Sequence, residues 1–141
     1  MPARLNVVGA QRRTARILIV EDDPVLRYLY RAALSVSGYE VICASDGIEA
    51  LYQLDAELPD LVVLDLALPR LSGRDVQREI SANARYRHIP ILVVTGDPGD
   101  LVESDNLCIL RKPVDLAALS DAVDRCLRRT RPLRRDVGRE M

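Results

Sequence analysis

A chain of 141 residues, 48% hydrophobic and 29% charged, is long enough to bury one domain-sized core and has the make-up of a soluble globular protein. No apolar run approaches the ~20 residues that cross a membrane, and the opening MPARLNVVGAQRRTAR lacks the continuous apolar stretch of a secretory signal. The net charge of −1 divides unevenly: residues 1–16 carry four Arg and no acid, residues 125–141 carry seven Arg against Asp136 and Glu140, and residues 17–124 hold the balance of −10.

Five strand patterns alternate with helical ones. Residues 1–15 read as a flexible basic extension. ILIV (17–20) is a short, wholly apolar run ending in Glu21 and Asp22. PVLRYLYRAALSVSG (24–38) has Pro24 at a helix start, Gly38 as its stop, and an apolar stripe at Leu26, Leu29, Ala33 and Val36. YEVICA (39–44) alternates more and suits an edge strand. DGIEALYQLDAE (46–57) spaces Ile48, Leu51 and Leu54 as a helix does. LVVLDL (61–66) is a second buried run, ending in Asp65. SGRDVQREISAN (72–83) is a polar helix with Val76 and Ile80 inward. PILVVT (90–95) and LCIL (107–110) are the remaining strands. VDLAALSDAVDRCLRR (114–129) is a helix with Leu116, Leu119, Val123, Cys126 and Leu127 on one face. Residues 130–141 form a basic tail. Solvated ends are the simpler reading of both tails, since neither interleaves aromatic residues or carries a nucleic-acid motif.

Continuous apolar strands are buried on both faces, which implies a parallel sheet with helices on each side. All strand C-termini then share one edge, where open α/β sheets place their sites. That edge collects Glu21, Asp22, Asp65, Thr95 and the Lys112-Pro113 dipeptide. Gathered carboxylates are costly unless a cation joins them. Asp22 and Asp65 offer hard oxygen ligands to Mg²⁺, and Glu21 can hold a metal-bound water. Asp65 can attack phosphorus, Thr95 offers a hydroxyl to a transferred phosphoryl oxygen, and Lys112 brings a compensating charge.

In order and spacing, VEDDP, SDGIEAL, LDLALPRLSG, VVTG and RKPV resemble the response-regulator receiver domain (CheY-like) of two-component signalling, over about Arg16 to Arg129. The resemblance implies a doubly wound α/β fold, flavodoxin-like, with a five-stranded parallel sheet of order 2-1-3-4-5. It makes residues 16–129 the receiver domain. It casts Asp65 as phospho-acceptor, and Glu21, Asp22, Asp65 and the backbone carbonyl of Ala67 as ligands of a Mg²⁺ cofactor. It also casts Thr95 as the switch hydroxyl and Lys112 as the family's lysine, with a cis bond to Pro113. Asp23 reads as a helix N-terminal residue rather than a ligand.

Such a protein catalyses only its own phosphorylation and dephosphorylation, not turnover of small molecules. The implied partners are a sensor histidine kinase or a histidine phosphotransfer protein, and an unidentified downstream protein. The short tail after residue 129 gives the expectation of a stand-alone cytoplasmic regulator, monomeric or weakly dimeric, with no direct DNA binding and no membrane association. Two further readings stay open: a receiver-like interaction module that works without phosphorylation, and an aspartyl phosphatase acting on small molecules. Against the latter, Ala67 stands where such enzymes carry a second acid.

Several positions depart from the family's pattern. Ile109 stands three residues before the lysine, where an aromatic residue is usual. Residues 96–106 are few and contain Pro98, Gly99 and three Asp, so the fourth helix is expected to be short, irregular or absent. Ala67 has no side chain to orient an attacking water, and Asp97 is an acidic neighbour able to repel or order it. Elsewhere the plain readings are the expectation: His88 as a surface loop residue, Tyr28, Tyr30 and Tyr52 as half-buried packing, and Cys43, Cys108 and Cys126 as reduced core thiols.

Overall fold

The computed structural model describes residues 14–130. Both basic tails therefore lie outside the described residues, apart from Thr14, Ala15 and Thr130. The elements run β1 (Arg16–Val20), α1 (Pro24–Val36), β2 (Glu40–Ala44), α2 (Gly47–Ala56), β3 (Leu61–Asp65), α3 (Gly73–Ala82), β4 (Ile91–Thr95), β5 (Leu107–Arg111) and α4 (Leu116–Thr130). One parallel sheet has the order β2-β1-β3-β4-β5, as expected. The last helix runs one residue past the boundary read from the sequence.

Side chains alternate across each strand, so the central strands feed two cores. Ile17, Ile19, Leu61, Val63, Leu92 and Val94 face α1 and α4. Leu18, Val20, Val62, Leu64, Ile91 and Val93 face α2 and α3. Every residue of β3 and β4 is buried, which is why these stretches read as unbroken apolar runs. Local signals start three of the helices: Asp23 accepts the N–H groups of Val25 and Leu26 ahead of Pro24, Asp46 accepts that of Glu49, and Ser72 that of Asp75.

Some inward faces differ from the expected stripes. In α1 the buried row is Tyr30 and Leu34, with Leu26 packed against it. At 3.6 residues per turn, Val36 falls about 240° round from Tyr30 and is 88% exposed. Tyr30 is buried rather than half-buried, whereas Tyr28 and Tyr52 project into solvent. Ile48 is likewise exposed, two positions off the Ala50–Leu54 row that α2 buries. The thiol expectation is also corrected: Cys108 on β5 pairs with Cys126 on α4 as a disulfide across a Cα–Cα distance of 6.3 Å, and Cys43 alone is free. That span lies within bridging range once β5 and α4 are packed, a proximity that no local spacing reveals. His88 is exposed in the turn before β4, as read.

Between β4 and β5, residues 96–106 form no helix. They return along the edge of β5 instead. Ser104 and Leu107 form an isolated antiparallel bridge, and Glu103 Oε2 accepts the Ile109 N–H at 2.8 Å. The exposed strand edge is thereby partly capped by its own preceding loop.

Candidate functional site

Strand register assembles the site. Val20 pairs with Leu64, which sets Glu21 beside the end of β3, and Glu21 donates its N–H to Ala44 O at 3.1 Å. Asp65 pairs with Val94 and Thr95 with Arg111, so Thr95 and Lys112 follow one step beyond. Lys112 donates its N–H to Thr95 O at 2.9 Å, and the Lys112–Pro113 bond is cis, as expected.

Carboxylate oxygens of Glu21, Asp22 and Asp65 lie within 4.8 Å of one another. Glu21 and Asp65 are buried and Asp22 is exposed. Glu21 Oε2 accepts the Asp23 N–H at 3.0 Å, whereas the buried Oε1 has no hydrogen-bond partner. Burial pushes the Glu21 carboxyl up to about 7; the Asp23 N–H opposes the shift and the Asp65 charge adds to it. An orphaned buried oxygen beside two more carboxylates is unfavourable without a cation. Clustered hard oxygen donors match the preference of Mg²⁺, so the residues present fit that ion.

Asp65 Oδ1 accepts the Ala67 N–H at 3.0 Å and the Lys112 ammonium at 3.2 Å. Ala67 is exposed in the turn after β3 and tied to Asp65 by that bond. Thr95 is buried, and its hydroxyl is turned into its own loop: it donates to Asp97 O and accepts the Asp97 N–H, both at 3.1 Å. Asp23 acts as the α1 cap, with Oδ1 at 2.8 Å from Val25 N. Ile109 is partly buried on β5, with its N–H held by Glu103.

The structure adds residues that the sequence reading did not place at the site. Arg27 reaches back from the first turn of α1 and donates to Glu21 O at 2.8 Å and Asp22 O at 3.4 Å, clamping the acidic turn from behind. Arg70, in the left-handed region at φ 64°, ion-pairs with the buried Asp46 and so ties the β3–α3 loop to the start of α2. Tyr30 lies in the core near the acidic groups. Its hydroxyl is pushed up to about 12, by burial first and then by the charges of Glu21, Asp65 and Asp23, so it stays neutral. A basic residue one turn into α1 was the only sequence signal for Arg27. Nothing local marked Arg70, whose partner Asp46 lies 24 residues earlier in the chain, or the place of Tyr30 beside the acidic groups.

Comparison with known proteins agrees with this geometry. The family model "Response regulator receiver domain" matches residues 17–124. Response regulator MprA of Mycobacterium bovis (strain BCG / Pasteur 1173P2) is 37% identical over 124 residues, covering 84% of this chain and 53% of that protein. MprA of Mycobacterium leprae (strain TN) is 38% identical over 122 residues, covering 83% and 53%. The chain thus spans about half the length of the curated relatives it matches. Among solved structures, chemotaxis response regulator CheY4 of Vibrio cholerae superposes with a TM-score of 0.73 at 27% identity, covering 81% of this chain and 99% of that one. The receiver domain of sensor histidine kinase PA1611 from Pseudomonas aeruginosa PAO1, which has a magnesium ion coordinated in its active site cleft, gives 0.71 at 31% identity, covering 82% and 98%. With the acidic cluster, the sheet order and these matches in agreement, the chain belongs to the response regulator receiver domain family.

Proposed function

We propose that this chain accepts a phosphoryl group on Asp65 from a phosphohistidine of a sensor kinase or phosphotransfer protein, with Mg²⁺ held by Glu21, Asp22, Asp65 and the Ala67 carbonyl. The observation that carries the reading is the buried Asp65 carboxylate, paired through Oδ1 with Lys112 and set within 4.8 Å of the Glu21 and Asp22 oxygens. When bound, Mg²⁺ supplies charge neutralisation for the incoming phosphoryl oxygens.

The chain's own groups divide the remaining work. Lys112 Nζ and the Ala67 N–H both hold Oδ1 and fix the carboxylate, leaving Oδ2 to attack phosphorus. A P–O bond to Asp65 forms as the P–N bond to the donor imidazole breaks, and the imidazole takes a proton from solvent. Lys112 balances the added charge. Thr95 then turns its hydroxyl from Asp97 O to a phosphoryl oxygen. The new charge biases the loops after β3 and β4, and a downstream contact reads that bias. Only one equivalent is transferred, so the protein is a signalling switch rather than a turnover enzyme.

Intact-mass analysis after incubation with phosphoramidate tests the reading. Wild type is expected to gain one phosphoryl group only with Mg²⁺, and Asp65→Asn none. Equal uptake by Asp65→Asn would remove Asp65 from its role. No uptake by wild type under any donor would favour a phosphorylation-independent interaction module, the reading to which Ile109 and the helix-less 96–106 segment lend support.

A further inference from the structure

Without a helix between β4 and β5, the 96–106 backbone has no i→i−4 ladder and must find partners elsewhere. The Leu101 N–H gives Pro98 O one partner at 3.1 Å, and Arg74, in the first turn of α3, gives it a second. The Arg74 guanidinium donates to Pro98 O at 3.0 Å through one nitrogen and to Asp100 Oδ1 at 3.0 Å through another. Gly99 admits it: the residue sits at φ 61°, and a Cβ there would lie 2.6 Å from an Arg74 nitrogen. The held turn continues inward. Asp97 Oδ1 accepts the Gly99 N–H at 3.0 Å, and the Asp97 backbone occupies both sides of the Thr95 hydroxyl. At its other end Arg74 follows Gly73, which packs so closely on Asp65 O and Leu66 that a Cβ would come within 2.4 Å. A continuous chain of contacts thus joins the backbone of Asp65 to the hydroxyl of Thr95.

We propose that Arg74 is a positioning residue, a latch that holds the β4–β5 loop against α3 and keeps the Thr95 hydroxyl engaged with Asp97 in the unphosphorylated protein. The proposal rests on the receiver reading and adds a regulator to it. Thr95 can donate to a phosphoryl oxygen only by giving up Asp97 O, and if its side chain rotates away the Asp97 N–H loses its acceptor too, so the hold on the turn at 97–100 is coupled to the hydroxyl. The latch sets how often that happens. The ion pair with Asp100 contributes little of the hold, because Asp100 is 93% exposed and screened. The bond to Pro98 O, made by a charged donor in a half-buried setting, carries more. Uptake is faster from the unlatched population, so releasing the latch raises the rate.

The test measures phosphoryl uptake from phosphoramidate with Mg²⁺ by intact mass, on the full chain. Wild type, Arg74→Ala, Thr95→Ala and the double variant are compared, with hydrogen exchange of the 96–101 amides on the same samples. Arg74→Ala is expected to take up the group roughly 5- to 30-fold faster, the factor that one such hydrogen bond represents. The acceleration is expected to fall within about twofold in the Thr95→Ala background, because the two residues act in series. Amides of Asp97 and Gly99 are expected to exchange faster while those of β3 and β4 do not change. Gly99→Ala, which displaces the guanidinium while leaving Arg74 in place, is expected to reproduce the acceleration if Arg74→Ala fails to fold. Unchanged or slower uptake in the unlatched variant, or equal acceleration with and without Thr95, would overturn the latch while leaving the receiver reading intact. No uptake by wild type would overturn the receiver reading, and the regulatory claim with it.

Discussion

Glu21 carries the sharpest consequence at the scale of single residues. Its carboxyl is buried, one oxygen is unpartnered, and its proton is held up to about 7 against an ordinary value of 4.5. The folded protein therefore binds this proton more tightly than the unfolded chain does. Without divalent cations, stability falls as pH rises from 4.5 through about 7, because the fold then holds an uncompensated buried charge. Glu21→Gln is expected to flatten that part of the profile, read as urea midpoints in a chelator between pH 5 and 8; a wild-type slope retained in the variant would assign the titration elsewhere. Mg²⁺ favours the charged form, so its affinity is expected to increase over the same interval. The carboxylates, Thr95 and Lys112 were legible in the sequence because each ends or follows an apolar run, and parallel strands bring such ends together. Arg27, Arg70 and Arg74 were not, because a surface arginine chooses among partners that only loop geometry supplies.

Among the elements, the β3–α3 connection is the most tightly constrained. Gly73 opens α3 against the backbone of Asp65 and Leu66, and its N–H donates to Leu66 O at 3.1 Å. Adding a methyl group requires backbone to shift at both ends of the loop that carries Ala67. Gly73→Ala is expected to cost about 1–3 kcal/mol of stability and to weaken Mg²⁺ binding, measured as a denaturant midpoint and a Mg²⁺ titration. Unchanged values for both would mean that the loop is softer than this contact implies. Strands β3 and β4 were readable in full because burial on both faces leaves no polar interruptions. The face of α1 was not: Leu26, Leu29, Ala33 and Val36 fit a helical period, but the row through Tyr30 and Leu34 packs better against the sheet and takes the interior. Pro98 and Gly99 correctly signalled the missing helix, whereas the return of residues 103–107 along β5 depends on strand-edge pairing that no local pattern encodes.

Across the whole molecule, the sheet order and register place the acidic turn, Asp65, Thr95 and Lys112 at one edge, with a separate core supporting each face of the sheet beneath them. Order 2-1-3-4-5 sets β1 and β3 side by side, which is the arrangement that joins Glu21 and Asp22 to Asp65. The fold class followed from the alternation of apolar runs with helical periods. The Cys108–Cys126 bridge did not, since it depends on how β5 and α4 pack. In the described residues no helix is long and apolar enough to cross a membrane. The stretch from 17 to 124 carries −10, so on the proposed reading a phosphoryl group would add charge to an already acidic body, with Lys112 as the neighbouring cation that offsets it. The most direct measurement is to phosphorylate the protein with Mg²⁺, reduce the product with borohydride, which converts an aspartyl phosphate to homoserine, and map the peptides. Homoserine at position 65 alone is the predicted result; homoserine at another aspartate, or none in a protein that has gained a phosphoryl group, would contradict the assignment of Asp65.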